Sequence, residues 1–134
     1  MEALLSLETI RAIHDEVLLP ENVAGERDGR LNGVYGRIEA RVYYLAVNDV
    51  FDIAAIVGTY IAVGYPFNDG NKRTAFICID IILAAANAAL EFTESPDEDP
   101  LFDLIIQCAQ GIVDETHLAD YLRGRYVKLK GPAR

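Results

Sequence analysis

Apolar residues recur along most of this chain at helical spacing. Leu7, Ile10, Ile13 and Val17 lie three or four apart, and Ser6 stands where an N-cap belongs, so a helix is predicted over Leu7–Leu18. The stretch from Pro20 to Gly33 breaks that period with three glycines and mixed charge, and reads as a long loop. Leu31, Val34, Ile38, Val42 and Leu45 then form one stripe of an amphipathic helix running from about Leu31 to Val47. Two segments differ in kind. From Asn48 or Asp49 to Val63, and from Asn71 to about Ala88, apolar residues cover nearly the whole circumference. Helices apolar on every side belong in the middle of a bundle. The turn between them therefore sits at one end of the core.

Further on, Leu90 to Thr93 alternates and suggests a short extended piece. The acidic run Glu94 to Asp99 reads as a solvated loop. It leads into a helix from about Pro100 to Gln110 and, after a cap at Asp114, a last helix from Thr116 to about Tyr126. The expectation is an all-α bundle, a single domain over residues 1–134, with no internal repeat.

Composition narrows the function classes. A chain that is 51% hydrophobic and 25% charged forms a packed core. A formal net charge of -9 argues against direct nucleic-acid binding, although a nucleotide needs only local positive charge. The apolar runs are too short to span a bilayer, and no secretory leader is recognisable, so no membrane role and a bacterial cytoplasmic address are expected. Cys78 and Cys108 sit among aliphatics as buried thiols, with no disulfide framework or metal-ligand spacing.

Candidate chemistry concentrates between the two apolar helices, in Tyr65-Pro66-Phe67-Asn68-Asp69-Gly70-Asn71-Lys72-Arg73-Thr74. Adjacent Lys72 and Arg73 open a helix, the end where the backbone dipole favours negative charge. Two cations there call for an anion, and phosphate is the obvious candidate. A Walker loop is excluded, because Asn71 separates Gly70 from Lys72 and Arg73 stands where Ser or Thr is required. A blander reading stays open on these grounds: Asp-Gly is a common turn, Asn71 can be a cap, and both cations can point into solvent.

The same residues resemble the signature of the Fic/Doc family, usually written His-x-Phe-x-Asp/Glu-Gly/Ala-Asn-Lys/Gly-Arg. Lys72 resembles the variant found in the death-on-curing (Doc) toxins. Gly36-Arg37-Ile38-Glu39-Ala40-Arg41-Val42 is similar to the corresponding Doc helix. The resemblance implies a helical Fic fold that cradles nucleotide phosphates at the motif. Asn68, Gly70, Asn71, Lys72 and Arg73 would line the phosphate site, and Arg73 would grip phosphate oxygens. Asp69 would place Mg²⁺ or the target hydroxyl, and Phe67 would anchor the loop. It further implies ATP and Mg²⁺ as cofactors and a Phd-type antitoxin as partner. The activity implied is a Doc-type kinase acting on elongation factor Tu, with AMP transfer or a non-catalytic antitoxin-binding module as alternatives. No internal inhibitory motif of the Ser/Thr-x-x-x-Glu-Gly/Asn type occurs, so inhibition in trans is expected.

One departure matters. Tyr65 stands where the family has the His that takes the proton from the target hydroxyl. A phenol with a pKa of ~10 is a poor base at neutral pH beside an imidazole at ~6.5. The chain is therefore expected to be catalytically crippled, whether Tyr65 is a natural loss or an inactivating change. Of the remaining residues, His14 reads as structural, His117 as uninvolved, and Asp80 as needing a partner within the fold or access to water. By the same resemblance, the Pro20–Gly33 loop would be the flap that docks the target.

Overall fold

The structure is a computed structural model that describes residues 5–17, 29–44, 47–67, 70–92 and 95–130. Among these, six α-helices follow one another: α1 (Leu7–Val17), α2 (Arg30–Tyr44), α3 (Val50–Gly64), α4 (Asn71–Ala85), α5 (Pro100–Ala109) and α6 (Glu115–Lys130). The all-α expectation holds, and three of the six α-helices start where side-chain caps were foreseen. Ser6 Oγ accepts from Thr9 N–H at 3.1 Å. Asp49, rather than Asn48, caps α3 through Phe51 and Asp52 N–H. Asp114 accepts from His117 N–H at the start of α6.

α3 is the axis of the bundle, packing against α2, α4, α5 and α6. Its residues from Ile53 to Thr59 are buried without interruption, as an all-apolar helix requires. The α2 stripe of Leu31, Val34, Ile38 and Val42 is completely buried. α4 packs between α3, α1 and α5 but is less enclosed than its composition suggests. Ile81 is 37% exposed, and with Ile77 it lines a shallow groove against Ala12 and Ile13 of α1.

Several boundaries differ from expectation. α2 ends at Tyr44, so Val47 lies in the connection, where its N–H reaches back to Val42 C=O. α2 also begins at Arg30, inside the stretch read as loop. The proposed flap falls largely on residues 18–28, outside the described residues. α4 stops at Ala85 because Asn87 takes a left-handed conformation (φ 58°). Ala88 and Asn87 N–H then bond back to Leu83 and Ala84 C=O, which satisfies the last carbonyls. Residues 90–92 join no strand, and no strand occurs among the described residues.

Within the acidic run Ser95, Asp97 and Glu98 are exposed, as expected of a solvated segment, but Asp99 is buried and the segment is folded. Pro96–Glu98 forms a 3₁₀ turn, and Asp99 caps α5 while meeting Arg125 at 2.6 and 2.9 Å. Burial pushes the Asp99 carboxyl up, but the Arg125 and Leu101 donors and the Arg125 charge outweigh it and hold the pKa below the usual 3.8. A depressed folded value means that this contribution is complete above about pH 4 and is lost as pH falls through the folded pKa. Urea titrations from pH 6 down to pH 2 should therefore show a steep acid loss of stability. Asp99→Asn should be less stable at neutral pH and shallower in its acid decline.

Asp80 was expected to find a partner or to reach water, and it does the second. It finds no partner among the described residues and stays partly exposed, with burial raising its pKa. Cys78 is fully buried, and burial alone pushes its thiol up to about 12, so it is inert packing. No described helix is long and apolar enough to cross a membrane.

Candidate active site

The motif is assembled where α3 ends and α4 begins. At that junction α3 runs so close to α2 that a Cβ on Gly64 would lie 2.5 Å from Val34 Cγ2. Val34 is fully buried and branched at Cβ, so it cannot swing aside. Gly64→Ala should lower unfolding free energy by about 1–3 kcal/mol, measurable by urea denaturation. The Gly64 carbonyl accepts a 2.7 Å hydrogen bond from Arg30 Nε, which places a cation at the negative end of α3. Arg30 was absorbed into a loop on sequence alone, and nothing in its spacing marks this contact.

Tyr65 closes α3 in the left-handed region, at φ 48° and ψ 55°, with its N–H on Ile61 C=O. This backbone costs a non-glycine residue about 1–2 kcal/mol. His is several-fold enriched among the residues that adopt it. The Tyr65 ring is 39% exposed, and Lys72 Nζ lies 6.0 Å from its centroid. Tyr65 and Lys72 thus lie side by side at the α3–α4 junction.

Phe67 turns the opposite way. It is 1% exposed and stacks on His14 of α1, with centroids 3.6 Å apart and planes within 5°. His14 is 2% exposed, so it is a structural residue, as expected, but one that touches the motif directly.

Asn71 has a structural part that its place in the motif did not suggest. Its side chain is buried and bonds twice to one residue: Oδ1 accepts from Phe67 N–H at 3.0 Å, and Nδ2 donates to Phe67 C=O at 2.9 Å. The amide therefore clasps the loop, which leaves the second Nδ2 hydrogen and the backbone N–H as its remaining donors. Physically this follows from burial, because Phe67 carries a backbone N–H and C=O that need partners away from water.

Gly70 precedes α4 at φ 80°, a conformation suited to glycine, and no side chain caps the helix. The first turn of α4 holds Lys72 and Arg73 and no acid. The first N–H groups of a helix lack intrahelical partners, so an anion is favoured at this end. Arg73 Nη2 donates to Asp97 Oδ2 at 3.0 Å, while Arg73 Nε and Thr74 Oγ1 are buried without a partner among the described residues. Asn68 and Asp69 lie outside the described residues. Among the described residues no group of three or more His, Cys, Asp or Glu could hold a metal ion.

These features sit in a matching frame. Residues 4–83 match the family model described as the Fic/DOC family. The chain belongs to the Fic/Doc family. A relative in this family, the protein kinase doc of Escherichia phage P1, is 33% identical over 124 residues, covering 91% of this chain and 94% of its own. The match takes in the Fic/Doc motif and the α1–α4 frame around it. Two contributors to this Fic/Doc site were not legible beforehand, Asp97 on Arg73 and Arg30 on the α3 terminus.

Proposed function

We propose that this chain is a Doc-type toxin of a bacterial toxin–antitoxin pair. It would be a protein kinase directed at a hydroxyl of elongation factor Tu, in a form disabled at Tyr65. The observation that carries the reading is the α4 N terminus: two cations with no acid in the first turn itself, no side-chain cap, and an Arg73 Nε closed to water without a partner among the described residues. That donor set fits a phosphate. The name of the phage P1 relative supports protein phosphorylation over other uses of a phosphate.

In this reading Arg73 and Lys72 stabilise the charge that spreads over the transferring phosphoryl oxygens. The N–H groups of residues 70–72 would line the remaining face, and the Asn71 clasp on Phe67 holds the loop in shape. Position 65 is where the target hydroxyl loses its proton, and a neutral phenol leaves that proton in place. Mg²⁺, brought with ATP and met by Asp69, would supply charge neutralisation at the phosphates. A Phd-type antitoxin would silence the active form in the bacterial cytoplasm, where the target works.

The test uses Tyr65→His under tight expression control, with purified elongation factor Tu and ATP labelled at the α- or the γ-phosphate. Label reaching the target from the γ position is the expected result. Label from the α position would make the chain an AMP transferase, and none from either would end the enzymatic reading. Arg73→Ala added to Tyr65→His should lower the restored rate by about 10²–10³.

A further inference from the structure

The guanidinium of Arg73 presents Nε and Nη2 along one edge, a fork that a planar or tetrahedral anion fills with two oxygens. Only one prong is filled. Nη2 donates to Asp97 Oδ2 at 3.0 Å, and Nε is buried without a partner among the described residues. The two side chains are 43% and 52% exposed. Such an ion pair is weak and easily exchanged.

Asp97 is nevertheless held opposite Arg73. It lies on the 3₁₀ turn opened by Pro96, two residues before Asp99. Asp99 is gripped by both terminal nitrogens of Arg125, whose Nη2 also donates to Glu91 C=O. The Arg125 guanidinium lies 4.7 Å from the Phe92 ring centroid, and Phe92 packs at 4.8 Å on Phe76 of α4, three residues beyond Arg73. The turn carrying Asp97 is thereby tied to the helix carrying Arg73 by a route independent of their ion pair.

We infer that Asp97 is a built-in competitor of phosphate, a carboxylate that holds Arg73 until the phosphate of a nucleotide displaces it. The inference rests on the reading of residues 65–74 as a phosphate cradle. A phosphate oxygen pair fills both prongs and carries more charge than the carboxylate, so it wins the fork. The displaced carboxylate stays within a few bonds of the anion and opposes it. Affinity for ATP is set by the fraction of molecules in which Arg73 is released. This regulator is internal to the fold and lies outside any inhibitory-helix motif.

The test is calorimetric titration of Mg·ATP into the full chain as it stands, Tyr65 included, alongside Asp97→Asn, Asp97→Glu, Arg73→Ala and the Arg73→Ala, Asp97→Asn double variant. Asp97→Asn should bind about 3- to 10-fold more tightly, from the strength of an exposed pair plus the removed repulsion. Asp97→Glu should stay near the parent, and the double variant should match Arg73→Ala, because the competitor acts only through that guanidinium. Asp97→Asn binding equally or more weakly than the parent, with Arg73→Ala still weakened, overturns the inference and leaves the cradle standing. Equal binding by the parent and Arg73→Ala, or none by either, overturns the cradle itself and the inference with it.

Discussion

Tyr65→His is expected to raise phosphoryl transfer by about 10²–10⁴, the range that a positioned general base contributes. The expectation rests on geometry as well as on basicity. Position 65 sits in the left-handed region, with φ 48°, where His is better tolerated than Tyr. Its side chain is exposed beside Lys72. The substitution changes the proton acceptor without asking the loop to move. The gain should follow a single ionisation near the imidazole pKa, ~6.5, falling away as pH drops below it. Single-turnover rates from pH 5 to 8 on both proteins check this, and a flat profile would assign the gain to something other than a base.

Asn71→Ala should be the most damaging substitution for the fold of the site. It removes both hydrogen bonds to Phe67 at once and leaves a buried N–H and C=O without partners. Each such group costs about 1–3 kcal/mol, so a loss of roughly 2–5 kcal/mol in unfolding free energy is expected. Asp cannot replace it, because a carboxylate accepts from Phe67 N–H but has no hydrogen for Phe67 C=O. Urea unfolding of Asn71→Ala and Asn71→Asp measures both effects. A loss under 1 kcal/mol for Asn71→Ala would show that the clasp is dispensable.

What could be read from the chain was whatever local chemistry decides. Ser6, Asp49 and Asp114 have side-chain oxygens within reach of the N–H groups two or three residues on, and each caps a helix. The α2 stripe and the apolar girth of α3 follow from periodicity and translate directly into burial. Helix ends were harder. Nothing before Asn87 stops α4, and α6 runs on to Lys130 because its basic residues suit a helix C terminus.

The site was legible as a motif and opaque as an arrangement. Lys72 and Arg73 announce an anion by standing together at a helix start. The use of Asn71 could not be foreseen, because the demand it meets is created by the burial of Phe67 against His14, 53 residues earlier by the numbering. Likewise Asp97 reaches Arg73 across 24 positions, set there by Pro96 and by Arg125 gripping Asp99. Contacts of that range belong to the packing of whole helices and leave no spacing in the chain.

With the phosphate cradle intact and only the base missing, position 65 would govern transfer and leave ATP binding alone. The most direct measurement sets ATP affinity and single-turnover transfer side by side for the chain as it stands and for Tyr65→His. Dissociation constants within about 3-fold of each other and transfer rates about 10²–10⁴ apart are expected. Failure of the parent to bind ATP, or binding by both proteins with no transfer by either, would contradict that expectation.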